Sequence, residues 1–263
     1  MIAKIKRIPA RLREDTRIVR LVKNWPGVLS SKARRSPVRK IRLRSGIEFA
    51  SPDEVDLSFL FHEIWVDGVY SHPGYEIKQG DVVIDIGGNI GVYAALVASQ
   101  SPDVKVFSYE PFPENAKFFE KNIADSKLNN VKLYQKAVAG AAGTRKLRVA
   151  DSWVSHSLGD NGSTGHTLEV ECIALNDIVT ETGSCDLLKI DCEGGEYEIF
   201  GGASAKTLKK IGRVVCEFHE TDEGSGDSLK TLFENNNFRI DTFERIDERT
   251  GLICATNLSF ART

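Results

Sequence analysis

The chain has 263 residues, of which 41% are hydrophobic and 27% charged, and 35 Lys and Arg against 37 Asp and Glu give a formal net charge of -2. These proportions exclude a wholly disordered chain, a collagen-like repeat and a disulfide-stapled miniprotein. No stretch approaches the roughly 20 continuous apolar residues that cross a bilayer, and residues 1–9 alternate apolar with basic side chains instead of building the apolar run of a secretory signal. Five cysteines without a CxxC pair read as reduced thiols in a cytoplasmic protein and give no support to a zinc site.

Charge is unevenly spread. Residues 1–44 hold 15 Lys and Arg with only Glu14 and Asp15 as acids, leaving 20 basic and 35 acidic residues for 45–263. The organisation is therefore a basic arm, 1–44, on one acidic domain, 45–263. Ile5, Ile8, Leu12, Val19 and Val22 recur near helical spacing, and Pro9 is unsuited to a helix interior. A helix is expected from about 10 to 24, ended by Trp25-Pro26-Gly27. Either the arm packs by one apolar edge, or it meets an anionic partner such as a membrane or glycolipid at the inner membrane surface. Nucleic acid suits it less, because Trp25 is its one aromatic residue for stacking.

Alternation around Ser45-Gly46 predicts a hairpin over 38–49, and residues 57–66 read as an apolar helix. Strand-then-helix units follow: strand 82–86, helix 92–98, strand 104–109, helix 113–125 and strand 131–136. An irregular, glycine-containing stretch over 139–172 is expected to add two strands. Strand 186–191, helix 196–208, strand 214–218, helix 228–235 and a closing hairpin of 238–242 with 252–255 complete the pattern. Such alternation predicts an α/β fold, a mostly parallel sheet with helices on both faces.

Asp85-Ile86-Gly87-Gly88-Asn89-Ile90-Gly91 lies between a buried strand and a helix. Its glycines permit a sharp turn and close approach of a ligand, and the helix start offers free N–H groups. The spacing D-x-G-x-x-x-G departs from the dinucleotide pattern G-x-G-x-x-G. An acid there repels a pyrophosphate and suits a sulfonium and an ammonium, so S-adenosylmethionine is expected rather than NAD. Glu110, ending the next strand in Tyr109-Glu110-Pro111, is placed to accept from ribose hydroxyls.

The segments D-I-G-G-N-I-G, Y-E-P-F-P-E-N with Lys121-Asn122 a helix later, L-L-K-I-D-C-E-G-G-E and V-V-C-E-F-H-E together resemble the FkbM-type methyltransferases over about residues 70–220. The resemblance implies an S-adenosylmethionine-dependent enzyme with the Rossmann-like class I methyltransferase fold, its mostly parallel sheet seven-stranded, and mostly O-methylation of natural products and sugars. It implies that Asp85, Gly87, Gly88, Asn89 and Gly91 line the methionine and ribose of the cofactor, Glu110 and Pro111 its ribose, and Lys136-Ala137 its adenine. Gly88 replaces an alanine common in that loop, and Asn176 replaces an aspartate. The arm lies outside the resemblance.

Methyl transfer to a hydroxyl needs alignment and a base within hydrogen-bond reach. Lys189, Asp191 and Glu193 alternate at one strand end, and Glu217 and His219 at the next. The resemblance implies that these two strands are neighbours, which would gather them at the reacting centre, with His219 the preferred base because its ordinary pKa lies near neutrality. A carboxylate cluster can hold a divalent cation, but no ligand spacing is diagnostic and no metal is assigned. Trp65, Tyr70, His72 and Tyr75, with Trp153, Ser155 and His156, are candidate walls for the acceptor: a saccharide, a glycolipid precursor or a secondary metabolite. Asp191-Cys192-Glu193-Gly194 stands where amine methylases carry an N/D-P-P-Y/F motif, which favours oxygen chemistry. A silent methyltransferase-like binding module and, less favoured, a nicotinamide-dependent oxidoreductase are the alternatives.

Overall fold

The computed structural model describes residues 10–53, 55–149, 157–158, 167–222 and 224–261. The arm forms two helices, α1 (Ala10–Leu21) and α2 (Trp25–Arg34). Trp25-Pro26-Gly27, expected to end a helix, opens the second one, because proline in a first turn lacks only an N–H that has no partner there. Ile18, Val22 and Val28 are buried in the same core cluster as Ile41, Phe49, Phe61 and Val66. The Arg17 guanidinium donates to the Val66 carbonyl, and Lys23 N–H to the Arg42 carbonyl at 2.6 Å. The arm's apolar edge thus belongs to the main core, while Arg20, Lys23, Arg34 and Arg35 stay exposed.

Strands β1 (Lys40–Arg42) and β2 (Glu48–Ala50) make the expected hairpin, with Ile41 opposite Phe49. Helix α3 (Leu57–Phe61) is capped by Asp56, whose side chain accepts from Ser58 N–H, and runs into a π-helical turn, His62–Asp67. The chain then alternates β3 (Val82–Ile86), α4 (Val92–Ala98), β4 (Lys105–Tyr109), α5 (Pro113–Asp125) and β5 (Val131–Tyr134). Next come β6 (Ala137–Ala139), β7 (Gly143–Arg148), β8 (Ser157–Leu158), β9 (Thr167–Ala174), α6 (Leu175–Thr182), β10 (Cys185–Ile190), α7 (Glu196–Gly202) and α8 (Ala205–Leu208). Strand β11 (Ile211–His219), α9 (Gly226–Asn235), β12 (Phe238–Arg245) and β13 (Thr250–Asn257) close the domain.

The main sheet has seven strands in the order β12-β13-β11-β10-β3-β4-β5, and only β13 runs against the others. This is the mostly parallel sheet that the alternation implied, in the seven-stranded Rossmann-like form that the family resemblance implied. Val83, Leu187 and Val215 face the core that includes the arm, and Ile84, Leu188 and Val214 face the opposite core. Burial on both faces explains why these strands read as continuous apolar runs. Strand order reverses between β3 and β10, and a ligand crevice forms beyond the carboxyl ends of strands at such a point.

Several boundaries moved. Strand 131–136 stops at Tyr134, and Ala137–Ala139 joins a second sheet of order β6-β9-β7-β8. Helix α6 was not expected, although Leu175, Ile178 and Val179 carry a buried helical stripe. The expected helix 196–208 divides where Ala203 is extended and Ser204 caps a new helix by accepting from Thr207 N–H. Asn176 ties that junction: its Nδ2 donates to the Gly202 carbonyl, and its Oδ1 accepts from Ser204 N–H and the Thr207 hydroxyl. Among the described residues no helix is long and apolar enough to cross a membrane.

Candidate active site

A cavity of about 350 Å³ opens at the carboxyl ends of β3, β4, β10 and β11. Its floor begins at the glycine loop. Gly87 N–H and Gly88 N–H both donate to the Tyr109 carbonyl, which folds the loop back over the sheet. Gly87 has φ +79°, and a Cβ there would lie 1.8 Å from the Asp191 carbonyl oxygen, so no other residue fits. Gly88 is explained by Phe119: a Cβ would sit 3.0 Å from that ring, which takes the space an alanine methyl would need. Glu110 closes the loop by accepting from Asn89 N–H at 2.8 Å and Phe112 N–H at 2.9 Å. Burial, only partly offset by those bonds, pushes its carboxyl up to about 7.

Asp85 is not on the cavity wall. It is fully buried at the centre of a row that crosses three strands in register, Ser108 on β4, Asp85 on β3 and Lys189 on β10. Ser108 Oγ donates to Asp85 at 2.9 Å, and Lys189 Nζ lies 3.5 Å from its other oxygen. Side chains at matched register on one face must meet, so the acid expected beside the cofactor instead anchors a lysine. Burial raises the Asp85 pKa despite Lys189. Burial also opposes the charge on Lys189, yet Asp85, Asp191 and Glu217 outweigh it and hold its pKa above the ordinary value. The ammonium donates to the Gly87 carbonyl at 2.9 Å, lies 3.8 Å from Asp191 and reaches the cavity surface. This buried cation ties the loop to the next strand end.

Strand β11 overhangs its neighbour: Ile190, the last residue of β10, pairs with Cys216, so Glu217 and His219 extend past it. Both side chains reach the cavity, joined by Asp191 and Glu193 from the turn after β10. The Tyr70 hydroxyl bridges Asp191 at 2.9 Å and Glu217 at 3.0 Å. His219 Nε2 lies 3.5 Å from Glu193 and 3.9 Å from Glu217, while Nδ1 lies 3.2 Å from Glu196. Burial opposes a charge on His219, but Glu196 above all, with Glu193 and Asp191, prevails and pushes its pKa up to about 9. Burial pushes Glu193 and Glu63 up to about 7, with repulsion from neighbouring acids adding to it, and raises Glu217 in the same direction. Asp191, Glu217 and His219 bring three ligand-type atoms within 4.8 Å of one another.

Of the expected cofactor residues, Gly87, Gly88, Asn89, Glu110, Pro111 and Ala137 line the cavity. Gly91 is instead the N-cap of α4, packed on Phe119, and Lys136 points outward to Glu171 at 2.5 Å. Lys189, Asp191, Glu193, Glu217 and His219 converge as the strand pairing implied. Among the expected acceptor walls that the structure describes, only Tyr70 reaches this cavity: Trp65 donates to the Val92 carbonyl, and His72 and Tyr75 border a second cavity. Trp153, Ser155 and His156 lie outside the described residues. Sequence reading missed Glu63, whose signal was an acid inside an apolar helix, and Glu196, the last acid of the K-I-D-x-E-G-x-E segment.

The residues fit S-adenosylmethionine. The loop would be filled by any Cβ at Gly87, Glu110 presents a buried carboxyl at the loop edge, and acids surround the reacting end, where a sulfonium is favoured. Residues 85–240 match the methyltransferase FkbM domain. The chain is 28% identical over 227 residues to the 31-O-demethyl-FK506 methyltransferase FkbM of Streptomyces tacrolimicus, covering 74% of this chain and 87% of that protein. It is 24% identical over 146 residues to the hexuronic acid methyltransferase AglP of Haloferax volcanii, covering 55% of this chain and 58% of that protein. Among solved structures, the METTL16 methyltransferase domain aligns with a TM-score of 0.48 at 15% identity, over 83% of this chain and 75% of that one.

Proposed function

This chain belongs to the methyltransferase FkbM family, whose members use S-adenosylmethionine, and we propose that it methylates a hydroxyl oxygen on a saccharide, a glycolipid precursor or a secondary metabolite. The observation that supports this reading is the meeting of His219 Nε2 with Glu193 and Glu217, and of the same ring with Asp191, in the cavity that holds the Gly87–Asn89 loop and Glu110. The names of the two relatives, one acting on a natural product and one on a hexuronic acid, support the same acceptor class. The basic arm is offered as the face that brings such an acceptor from an anionic surface, through exposed Arg20, Lys23, Arg34 and Arg35.

When bound, S-adenosylmethionine supplies an electrophilic methyl group. The protein's share is alignment and proton removal. Glu110 would accept from the ribose hydroxyls, and the loop from Gly87 to Asn89 would hold the cofactor beside it. His219 takes the acceptor's proton on Nε2 while Nδ1 stays bonded to Glu196. Asp191, Glu193 and Glu217 orient the hydroxyl and stabilise the imidazolium that results. Tyr70, whose own ionisation is suppressed by burial and by Asp191, remains a neutral donor to those acids.

The test is transfer from methyl-labelled S-adenosylmethionine to a panel of hexoses, hexuronates and hydroxylated macrolides. Label recovered in a methyl ether, with kcat/KM rising about tenfold per pH unit below 9 as His219 deprotonates, is the expected result. Label on nitrogen or carbon, or an undiminished kcat in His219→Ala, would remove the oxygen-and-histidine reading.

A further inference from the structure

We propose that Glu196 is a positioning residue: it fixes the His219 ring with Nδ1 turned inward and Nε2 toward the cavity, and it holds the turn that presents Glu193. The inference deepens the reading of His219 as the base and rests on it. Glu196 is the first residue of α7 and is completely buried. Its Oε1 lies 3.2 Å from His219 Nδ1 and accepts from Cys192 N–H and Gly194 N–H at the same distance. One oxygen therefore joins β11, the turn after β10 and the start of α7. Within that turn Glu193 has φ +57° and Gly194 φ +103°, left-handed geometry that is costly for Glu193 and needs surrounding bonds to persist.

An imidazole that donates through one nitrogen to a buried carboxylate leaves the other as its working lone pair, and its tautomer is set by that bond. His219 meets this condition on one side only. Glu196 is the partner of Nδ1, whereas Nε2 faces Glu193 and Glu217 at 3.5 and 3.9 Å, both on the cavity wall. Among the described residues, the other charged groups that act on the ring include Asp191 after β10 and Asp247 in the β12–β13 turn, with Thr250 of β13 paired to His219 through the backbone. None of these contacts Nδ1. A residue that only capped α7 would bind the turn's N–H groups and leave the histidine's titration alone, so the two roles separate in experiment.

The experiment is nitrogen-15 NMR of the histidine side chains in the full chain, with His219 assigned by its loss in His219→Asn. In the wild type the neutral form above pH 9 is expected as the Nδ1–H tautomer; an Nε2–H tautomer there overturns the proposal with no further variant needed. In Glu196→Gln the midpoint of His219 is expected to fall by about one unit or more, because a buried carboxylate partner has been removed. The acid limb of kcat/KM should fall with it, kcat by at least about tenfold, and KM for S-adenosylmethionine should stay within about twofold. An unchanged midpoint and tautomer in Glu196→Gln overturns positioning. Because the NMR readout needs no turnover, failure of His219 as the base would show separately, as full activity in His219→Ala with the Nδ1–H tautomer intact.

Discussion

Glu110→Gln should make the empty protein more stable at alkaline pH while it weakens the cofactor. The Glu110 carboxyl is 5% exposed and its pKa is lifted by burial from 4.5 to about 7. A carboxyl whose folded pKa exceeds its unfolded one binds more protons when folded, so its contribution is fully present below pH 4.5 and is lost as pH rises through 7. The loss comes to about 3 kcal/mol at pH 8. Glutamine removes that penalty but accepts from only one of Asn89 N–H and Phe112 N–H through its carbonyl, returning about 1–2 kcal/mol of it. The net expected gain is about 1–2 kcal/mol at pH 8, a rise of roughly 2–6 °C in Tm for a chain of this size, and none at pH 5. Binding of S-adenosylhomocysteine should weaken by about 10- to 150-fold, the equivalent of charge-assisted bonds to ribose worth about 1.5–3 kcal/mol. Thermal melts of the empty protein at pH 5 and 8, with titration calorimetry at pH 8, read both quantities. Unchanged affinity, or destabilisation that grows with pH, would refute the account of Glu110 as a strained, ribose-facing carboxylate.

Gly87→Ala forces a Cβ against the Asp191 carbonyl at positive φ and should cost about 3 kcal/mol or more in denaturant unfolding, whereas Gly46→Ala, with nothing within 4 Å, should cost about 1 kcal/mol. Equal losses would mean that the loop tolerates the methyl. Exhaustive treatment with a chelator should leave methyl transfer unchanged, because Lys189 and the His219 imidazolium already place positive charge against Asp191, Glu193 and Glu217; activity lost and then restored by magnesium or manganese would contradict this. Binding of S-adenosylmethionine at pH 7 should release protons from Glu63, Glu110 and Glu193, each held near 7, as a cation in the cavity favours their ionised forms. Calorimetry in buffers of different ionisation enthalpy measures the release, and S-adenosylhomocysteine, lacking the sulfonium charge, should release fewer.

Much of the site was legible because strand periodicity is strict. Lys189, Asp191, Glu217 and His219 could be gathered from alternation along each strand together with the strand adjacency that the family resemblance implied. The same rule, applied to Asp85, needed the register of β3 with β4 and β10, which only the folded sheet supplies; that register turns the acid under the loop instead of toward the ligand. Trp25-Pro26-Gly27 was ambiguous for a different reason, since proline after a helix and proline in the first turn of the next look alike in sequence. Glu196 was invisible because its role depends on three chain segments meeting at one oxygen.

The placement of acids also explains why burial did not cost the site its chemistry. Asp85, Glu110 and Glu196 are all at most 5% exposed, an arrangement that a protein interior tolerates only with partners. Asp85 has Lys189 and Ser108, Glu110 has two loop N–H groups, and Glu196 has two more and His219. Among the described residues Asp85 Oδ1 and Glu196 Oε2 accept no hydrogen bond, so each of these two acids is hydrogen-bonded through its other oxygen, while the less deeply buried acids Asp191, Glu193 and Glu217 face the cavity. A positively charged donor therefore meets an excess of acids at the reacting end, three carboxyls against Lys189 and His219, and buried polar contacts hold the walls behind it. Lys189→Met would leave buried Asp85 without its cation and the Gly87 carbonyl without its donor, and is expected to cost about 3–5 kcal/mol in denaturant unfolding; unchanged stability would refute the pairing.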